Sequence, residues 1–189
     1  MSISALPSAA LRASRSLERV GRLLRERESE AGLNPAQWDA LRCLAAANRF
    51  SRTPSAVAAW IATTRGTASQ TLMALERKGL VARVADTRDK RSSRLELTPA
   101  GVATMERDPV AGVASAIAGL QPLHAVALGQ ALARVLDGLL EGGRRPLFRA
   151  CQGCRNFTPG EDDGGHCARF NAPLDSGETA RACVAHVAA

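Results

Sequence analysis

The chain has 189 residues, enough for one well-cored domain with an appendage but not for two large ones. Its 25 Lys+Arg outnumber 18 Asp+Glu, a net charge of +7, and the excess is uneven: residues 1–150 hold 22 basic and 13 acidic side chains, residues 151–189 three and five. A basic body suits a polyanionic partner, and no uninterrupted apolar run of about 18 residues predicts a membrane span.

The first residues lack the continuous apolar core of a signal peptide, so the cytoplasm is the expected compartment. A first helix is expected over roughly 8–31, with Leu11, Leu17, Val20 and Leu24 at helical spacing. A second begins near Pro35, capped by Asn34, and carries Trp38, Leu41 and Leu44. Cys43 lies among these apolar residues and reads as a small core residue, with an oxidant-sensing thiol as the alternative. Thr53-Pro54 opens a short helix with Val57, Ala58 and Ile61, and Ala62-Thr63 makes a turn.

Thr64 then caps a helix that Lys78-Gly79 ends. Its inner stripe is Ala68, Leu72 and Leu75; Arg65, Ser69, Gln70 and Arg77 face outward, where they can reach phosphates and base edges. Leu80–Val84 and Arg94–Leu97 read as strands around the charged loop Asp86-Thr87-Arg88-Asp89-Lys90-Arg91. In that loop a carboxylate two residues from an arginine can hold the guanidinium in one pose, and narrow minor grooves attract arginine. Thr98-Pro99 starts another helix, which Pro109 bends or interrupts. Gln121-Pro122 opens the last long helix, with the stripe Leu128, Leu132, Val135 and Leu139. Glu141–Pro146 is a breaker-rich joint, after which helical periodicity disappears.

Three blocks, Glu76-Arg77-Lys78-Gly79-Leu80-Val81, Asp86-Thr87-Arg88-Asp89-Lys90-Arg91 and Leu97-Thr98-Pro99-Ala100-Gly101, resemble in content and spacing the recognition-helix exit, wing and following cap of the MarR family of bacterial transcriptional regulators. The resemblance implies a mainly α fold with a small β-wing: a winged helix-turn-helix with a helical dimerisation region. It implies a homodimer whose terminal helices interlock, reading a palindromic operator in double-stranded DNA. Thr64, Arg65, Thr67, Ser69, Gln70 and Arg77 would serve the recognition helix, and Arg88, Asp89, Lys90 and Arg91 the wing. Asp89 would orient Arg91 into the minor groove. Gly66 stands where many relatives carry proline. Such regulators often take a small-molecule effector, although with no Tyr and few aromatics the sequence reveals no pocket for one.

Residues 151–189 carry Cys151, Cys154, Cys167 and Cys183 in the pattern C-x2-C-x12-C-x15-C, within a segment rich in Gly, Pro and Asp. Such a segment has too little apolar surface to fold by burial, but four thiolates on one metal centre would organise it. The expected domains are therefore 1–140 for DNA binding and dimerisation, 141–150 as linker, and 151–189 as a loop-rich, metal-stapled tail. A tail similar to high-potential iron–sulfur proteins, which use one CxxC and two later cysteines, favours a [4Fe–4S] cluster. Cys154-Arg155-Asn156-Phe157 and Cys167-Ala168-Arg169-Phe170 echo the aromatics near their ligands, while no Gly-Trp precedes Cys183. Zinc is the alternative, with His186 or His166 replacing a thiolate. The function expected is a DNA-binding regulator, a repressor, modulated through this centre. The alternative is an electron-transfer protein whose basic domain only docks it. No GxSxG, phosphate-binding glycine loop or HExxH points to catalysis.

Overall fold

The structure is a computed structural model that describes residues 7–85, 93–141 and 148–189. The wing-tip residues Arg88, Asp89, Lys90 and Arg91, and most of the joint after Glu141, lie outside the described residues.

Local signals place the helices. Helix α1 spans Ser8–Glu30. Helix α2 spans Pro35–Ala46 and opens with a capping box, the Asn34 side chain accepting from the Gln37 N–H while the Gln37 side chain accepts from the Asn34 N–H. Helix α3, Pro54–Trp60, is capped by Thr53, and α4, Arg65–Arg77, by Thr64. The chain leaves α4 through Gly79 at φ +68°, a left-handed turn that glycine makes without strain. Strands β1 (Val81–Ala85) and β2 (Ser93–Leu97) pair antiparallel, Val81 opposite Leu97. The Leu95 N–H also donates to the Arg52 carbonyl at 2.8 Å, tying the wing to the α2–α3 segment.

Trp38, Leu41, Leu44, Val57, Leu72, Leu75 and Leu95 close one core under α2–α4 and the wing. The expected inner stripe of α4, Ala68, Leu72 and Leu75, is fully buried in it. Thr98 caps α5 (Pro99–Met105), and its hydroxyl donates to the Gly79 carbonyl at 2.6 Å. Gly101 passes so close to the wing root that a Cβ there would sit 2.1 Å from the Leu80 carbonyl oxygen. This explains the glycine of the Leu97–Gly101 block by packing alone. Pro109 interrupts the next helix, giving α6 at Val110–Ala118, and α7 follows over Pro122–Glu141.

A charged knot joins the long helices to this core. Arg42 on α2 donates to Glu28 of α1 at 2.6 Å and, through two nitrogens, to both oxygens of Asp108 between α5 and α6, at 2.6 and 2.9 Å. Burial alone would lower the Arg42 pKa, but the hydrogen bonds it donates to Asp108 and Glu28 hold it raised.

The expected stripes on α1 and α7 are not core. Leu17 and Val20 are exposed, the one buried residue of α1 is Glu28, and on α7 Val135 and Leu139 are open, Leu139 to 74%. Periodicity reveals an apolar face without saying what covers it. The segment Pro122–Leu140 is also long and apolar enough to cross a membrane by length and composition, with mean hydropathy 1.3. The expectation of no spanning candidate considered only unbroken apolar runs, and here Arg134 and Asp137 interrupt the segment.

The tail folds more regularly than its composition suggests. Strands β3 (Phe157–Pro159), β4 (Gly165–Cys167) and β5 (Ala172–Leu174) form an antiparallel sheet in that order, followed by a single turn, α8 (Ser176–Thr179). Three-residue strands are too short to leave a period-2 signature in sequence. Residues 148–150, expected to be linker, are engaged: Phe148 packs edge-on against Trp60 at 4.9 Å, Arg149 pairs in a β-bridge with Cys183, and its guanidinium meets Asp137.

Candidate functional site

Two sites stand out: the outer face of α4 with the wing, and the cysteines of the tail.

On α4 the turn from α3 is made by Ala62 at φ 57°, which sets the second helix across the first. The Thr64 hydroxyl accepts from the Thr67 N–H at 3.1 Å and meets the Thr67 hydroxyl at 2.9 Å, so both threonines hold the helix start in place. Arg65, Gln70 and Arg77 are exposed and Ser69 is half-buried, all on the side away from the core. Arg65 and Gln70 have no ion-pair or hydrogen-bond partner among the described residues, so their donors and acceptors are available. Met73 shares this face, 48% exposed between Gln70 and Arg77 at helical spacing, and sequence reasoning passed over it. An exposed thioether there can touch a thymine methyl as other apolar side chains do.

The wing strands carry their own charge pairs. Arg83 bonds Glu76 at 2.7 Å, Arg94 forms an ion pair with Glu96 at 2.8 Å without hydrogen-bond geometry, and Arg52 also meets Glu96. Arg52 was missed because nothing in sequence links the α2–α3 segment to β2.

In the tail all four cysteines are free thiols, and Cys151, Cys167 and Cys183 are buried. They come together on one locus. The Cys151 thiol is pushed up to about 11, first by burial and then by the charge of Cys183, Cys167 and Cys154 close around it. Among the described residues no group of three or more His, Cys, Asp or Glu side chains is placed to hold a metal ion as it stands.

Backbone bonds set this arrangement. The Cys151 N–H donates to Thr179 O and the Cys183 N–H to Arg149 O, both at 2.9 Å, while Cys154 N–H folds back on Cys151 O at 3.0 Å. Cys167 lies opposite Phe157 across β3–β4, and β4 passes so close to β3 that a Cβ on Gly165 would strike the Phe157 ring at 2.6 Å. Cys151, Cys167 and Leu174 pack with Phe157, Phe170 and Phe50, so an aromatic from the body completes the tail's apolar centre.

The two histidines separate. His166 is exposed and neighbours Cys167 on β4, so its side chain leaves the opposite face. His186 donates its backbone N–H to Cys183 O at 3.3 Å, and both its ring nitrogens are buried without a hydrogen-bond partner. Cys43 takes no part: it is fully buried in the core and its thiol is pushed up to about 12 by that burial, so it is a poor nucleophile near neutral pH.

The donor set of the tail, four free thiols with Phe50, Phe157 and Phe170 packed against the cluster of Cys151 and Cys167, has the ligand type and number of a thiolate-ligated metal centre.

Comparison with known proteins bears on the first site. Residues 31–92 match the MarR family. No curated protein matches the chain. A MarR-family transcriptional regulator from Silicibacter pomeroyi is 29% identical with a TM-score of 0.53, over 69% of this chain and 89% of that one. The S. aureus MepR–DNA complex is 20% identical with a TM-score of 0.53, over 73% of this chain and 99% of MepR, a likeness of fold. Another S. aureus MepR structure, of a point mutant, is 22% identical with a TM-score of 0.54, over 71% and 99%. Residues 31–92 are thus similar to the MarR family, and the fold of 69–73% of the chain is similar to that of these structures.

Proposed function

We propose that the chain is a sequence-specific DNA-binding transcriptional regulator, a repressor, that works as a cytoplasmic homodimer and is modulated through a Cys-ligated centre in its tail. One observation carries the DNA reading: α4 buries Ala68, Leu72 and Leu75 completely while presenting Arg65, Gln70, Met73 and Arg77 outward beside the wing. A helix so divided enters the major groove with its polar face and leaves phosphate contacts to the flanks. The wing residues Arg88, Asp89, Lys90 and Arg91 would continue that contact into the minor groove.

The open apolar faces of α1 and α7 support the dimer, since a second copy covers both at once. An apolar recess of about 180 Å³ between α1 and α6, lined by Val20, Leu23, Leu24, Pro109 and Val113, offers a seat for a small-molecule effector.

For the tail we favour a [4Fe–4S] cluster on Cys151, Cys154, Cys167 and Cys183 over zinc. The spacing, one CxxC and two later cysteines with an aromatic three residues after Cys154 and Cys167, supports that preference, and a single zinc bound by thiolates at about 2.3 Å is the alternative. When bound, such a cluster supplies a one-electron redox centre. The chain's own residues would hold it with four thiolates, and Phe50, Phe157 and Phe170, packed against Cys151 and Cys167, would shield it.

The test is footprinting of upstream regions with protein purified without oxygen, together with its iron, sulfide and zinc content. Protection of a palindrome by a dimer is expected. Metal with reversible redox but no protected sequence would instead support an electron carrier.

A further inference from the structure

Three features lie outside the reading above: the cleft lined by Arg155, Arg169 and His186, the buried knot around Arg42, and the seam between tail and body. The cleft is open and its arginines are exposed, and the knot is a structural fastening. The seam carries furthest.

The tail docks on residues 45–51, the stretch that leaves α2 and leads into α3. Ala182 pairs with Ala47 in a parallel β-bridge; its N–H donates to Ala46 O at 3.0 Å, and its carbonyl accepts from Asn48 N–H at 2.9 Å. Val184 N–H donates to the Ser51 hydroxyl at 2.9 Å, and Arg49 N–H to Glu178 Oε2 at 2.9 Å. Arg181 donates to Ala45 O at 3.0 Å, and the Arg49 guanidinium reaches the Pro173 carbonyl. Phe50 stacks on Phe170 with ring centres 4.2 Å apart and planes 6° from parallel. Asn48 and Ser51 are buried in this seam.

The cysteines sit at its fastening points. Cys183 lies between Ala182 and Val184, the two residues that bond the body on either side of it. Cys167 lies three residues before Phe170 and shares its apolar cluster. The far end of the docked stretch is continuous with the DNA-reading elements. Arg52 accepts from Leu95 N–H through its carbonyl, donates to Ala47 O at 3.2 Å and pairs with Glu96 of β2, and Thr53 caps α3.

From this geometry we infer that residues 46–52 are the relay by which occupancy of the tail's thiolate centre is read at the wing and α3. This rests on the metal reading proposed above. Ligation of Cys183 and Cys167 holds residues 182–184 and Phe170 in place, and these hold Ala47, Phe50 and Ser51. An emptied centre releases them, and the support of β2 through Arg52 loosens. Two sites then share one bistable element, which is what coupling requires.

The experiment uses the full chain, loaded and then emptied with a chelator under anaerobic conditions. It measures metal content, amide hydrogen exchange and operator affinity for wild type, Ser51→Ala, which removes the acceptor of Val184 N–H, and Arg49→Ala. Emptying wild type should raise exchange in 46–52 and 93–97 and weaken operator binding by about ten-fold, within the usual range of coupling. The two variants should keep their metal and fold, yet show a difference between loaded and emptied affinity of about two-fold or less. Unchanged exchange in 46–52 on emptying, or variants that respond as wild type does, would overturn the relay. A wild-type chain that holds neither iron nor zinc fails at the metal assay, which separates loss of the metal reading from loss of the relay alone.

Discussion

At the scale of single residues, the proposed DNA contact divides the α4 face between positioning and reading. Gln70 can bond an adenine edge with both ends of its amide, whereas Arg77 near the helix end is placed for phosphate. Gln70→Ala should cost about 1–3 kcal/mol on the best operator and relax preference at one base pair. Arg77→Ala should weaken all sequences alike and reduce the salt slope by about one. Affinities on a set of single-base operator variants at several salt concentrations distinguish the two roles. Gly101 makes a different residue-scale point. With the Leu80 carbonyl oxygen 2.1 Å from where a Cβ would sit, Gly101→Ala must push α5 off the wing root. The expected loss is about 1–3 kcal/mol or more in urea unfolding, and a variant as stable as wild type would contradict the packing described.

At the scale of elements, the Arg42 knot fastens α1 and the α5–α6 junction to α2. Asp108 is buried, and although burial alone would raise its pKa, the hydrogen bonds from Arg42 and the Val110 N–H hold it below its ordinary value. A carboxyl lowered in the fold contributes stability that is present above its unfolded pKa and lost as pH falls through its folded one. Asp108→Asn should therefore cost about 3 kcal/mol near neutral pH, because it leaves Arg42 short of a counter-charge. The gap between variant and wild type should narrow as pH drops below about 3.9. Stability curves against pH for both proteins check this; a gap independent of pH would mean Asp108 acts by shape alone. The tail is an element too. Since it buries Asn48 and Ser51 and bonds the backbone of 46–51, a chain ending at Pro146 exposes these polar groups and gives up the Phe50–Phe170 stack. Calorimetry should find its melting temperature several degrees lower, on the order of 2 kcal/mol less stable.

At the scale of the whole molecule, the unbalanced surface is the apolar one. Leu123 and Leu139 of α7 are 77% and 74% exposed, and Val126, Val135 and Leu136 join them. A helix of this kind is stable when another surface covers it. If the proposed dimer forms through this face, Leu136→Glu with Leu139→Glu should yield a monomer by sedimentation and abolish tight binding to a palindrome, leaving only weak half-site affinity. A double variant that remains dimeric would move the interface elsewhere.

What the sequence determined by itself was local. Asn34, Thr53, Thr64 and Thr98 announce helix starts because a cap bonds a backbone N–H three residues on, and each does so in the structure. Ala68, Leu72 and Leu75 announce the buried side of α4 because 3.6 residues per turn puts them on one line. The wing was legible because its charged loop is bracketed by two strand-forming runs. Partners distant in sequence were decided only by the tertiary structure. Arg42 and Asp108 are 66 residues apart, Arg49 and Glu178 129. Phe50 gives no sign in sequence that it closes the apolar centre of a tail more than a hundred residues away. The stripes of α1 and α7 look like core in sequence and lie open in the single chain, because periodicity reports that a face is apolar and only packing supplies what stands against it.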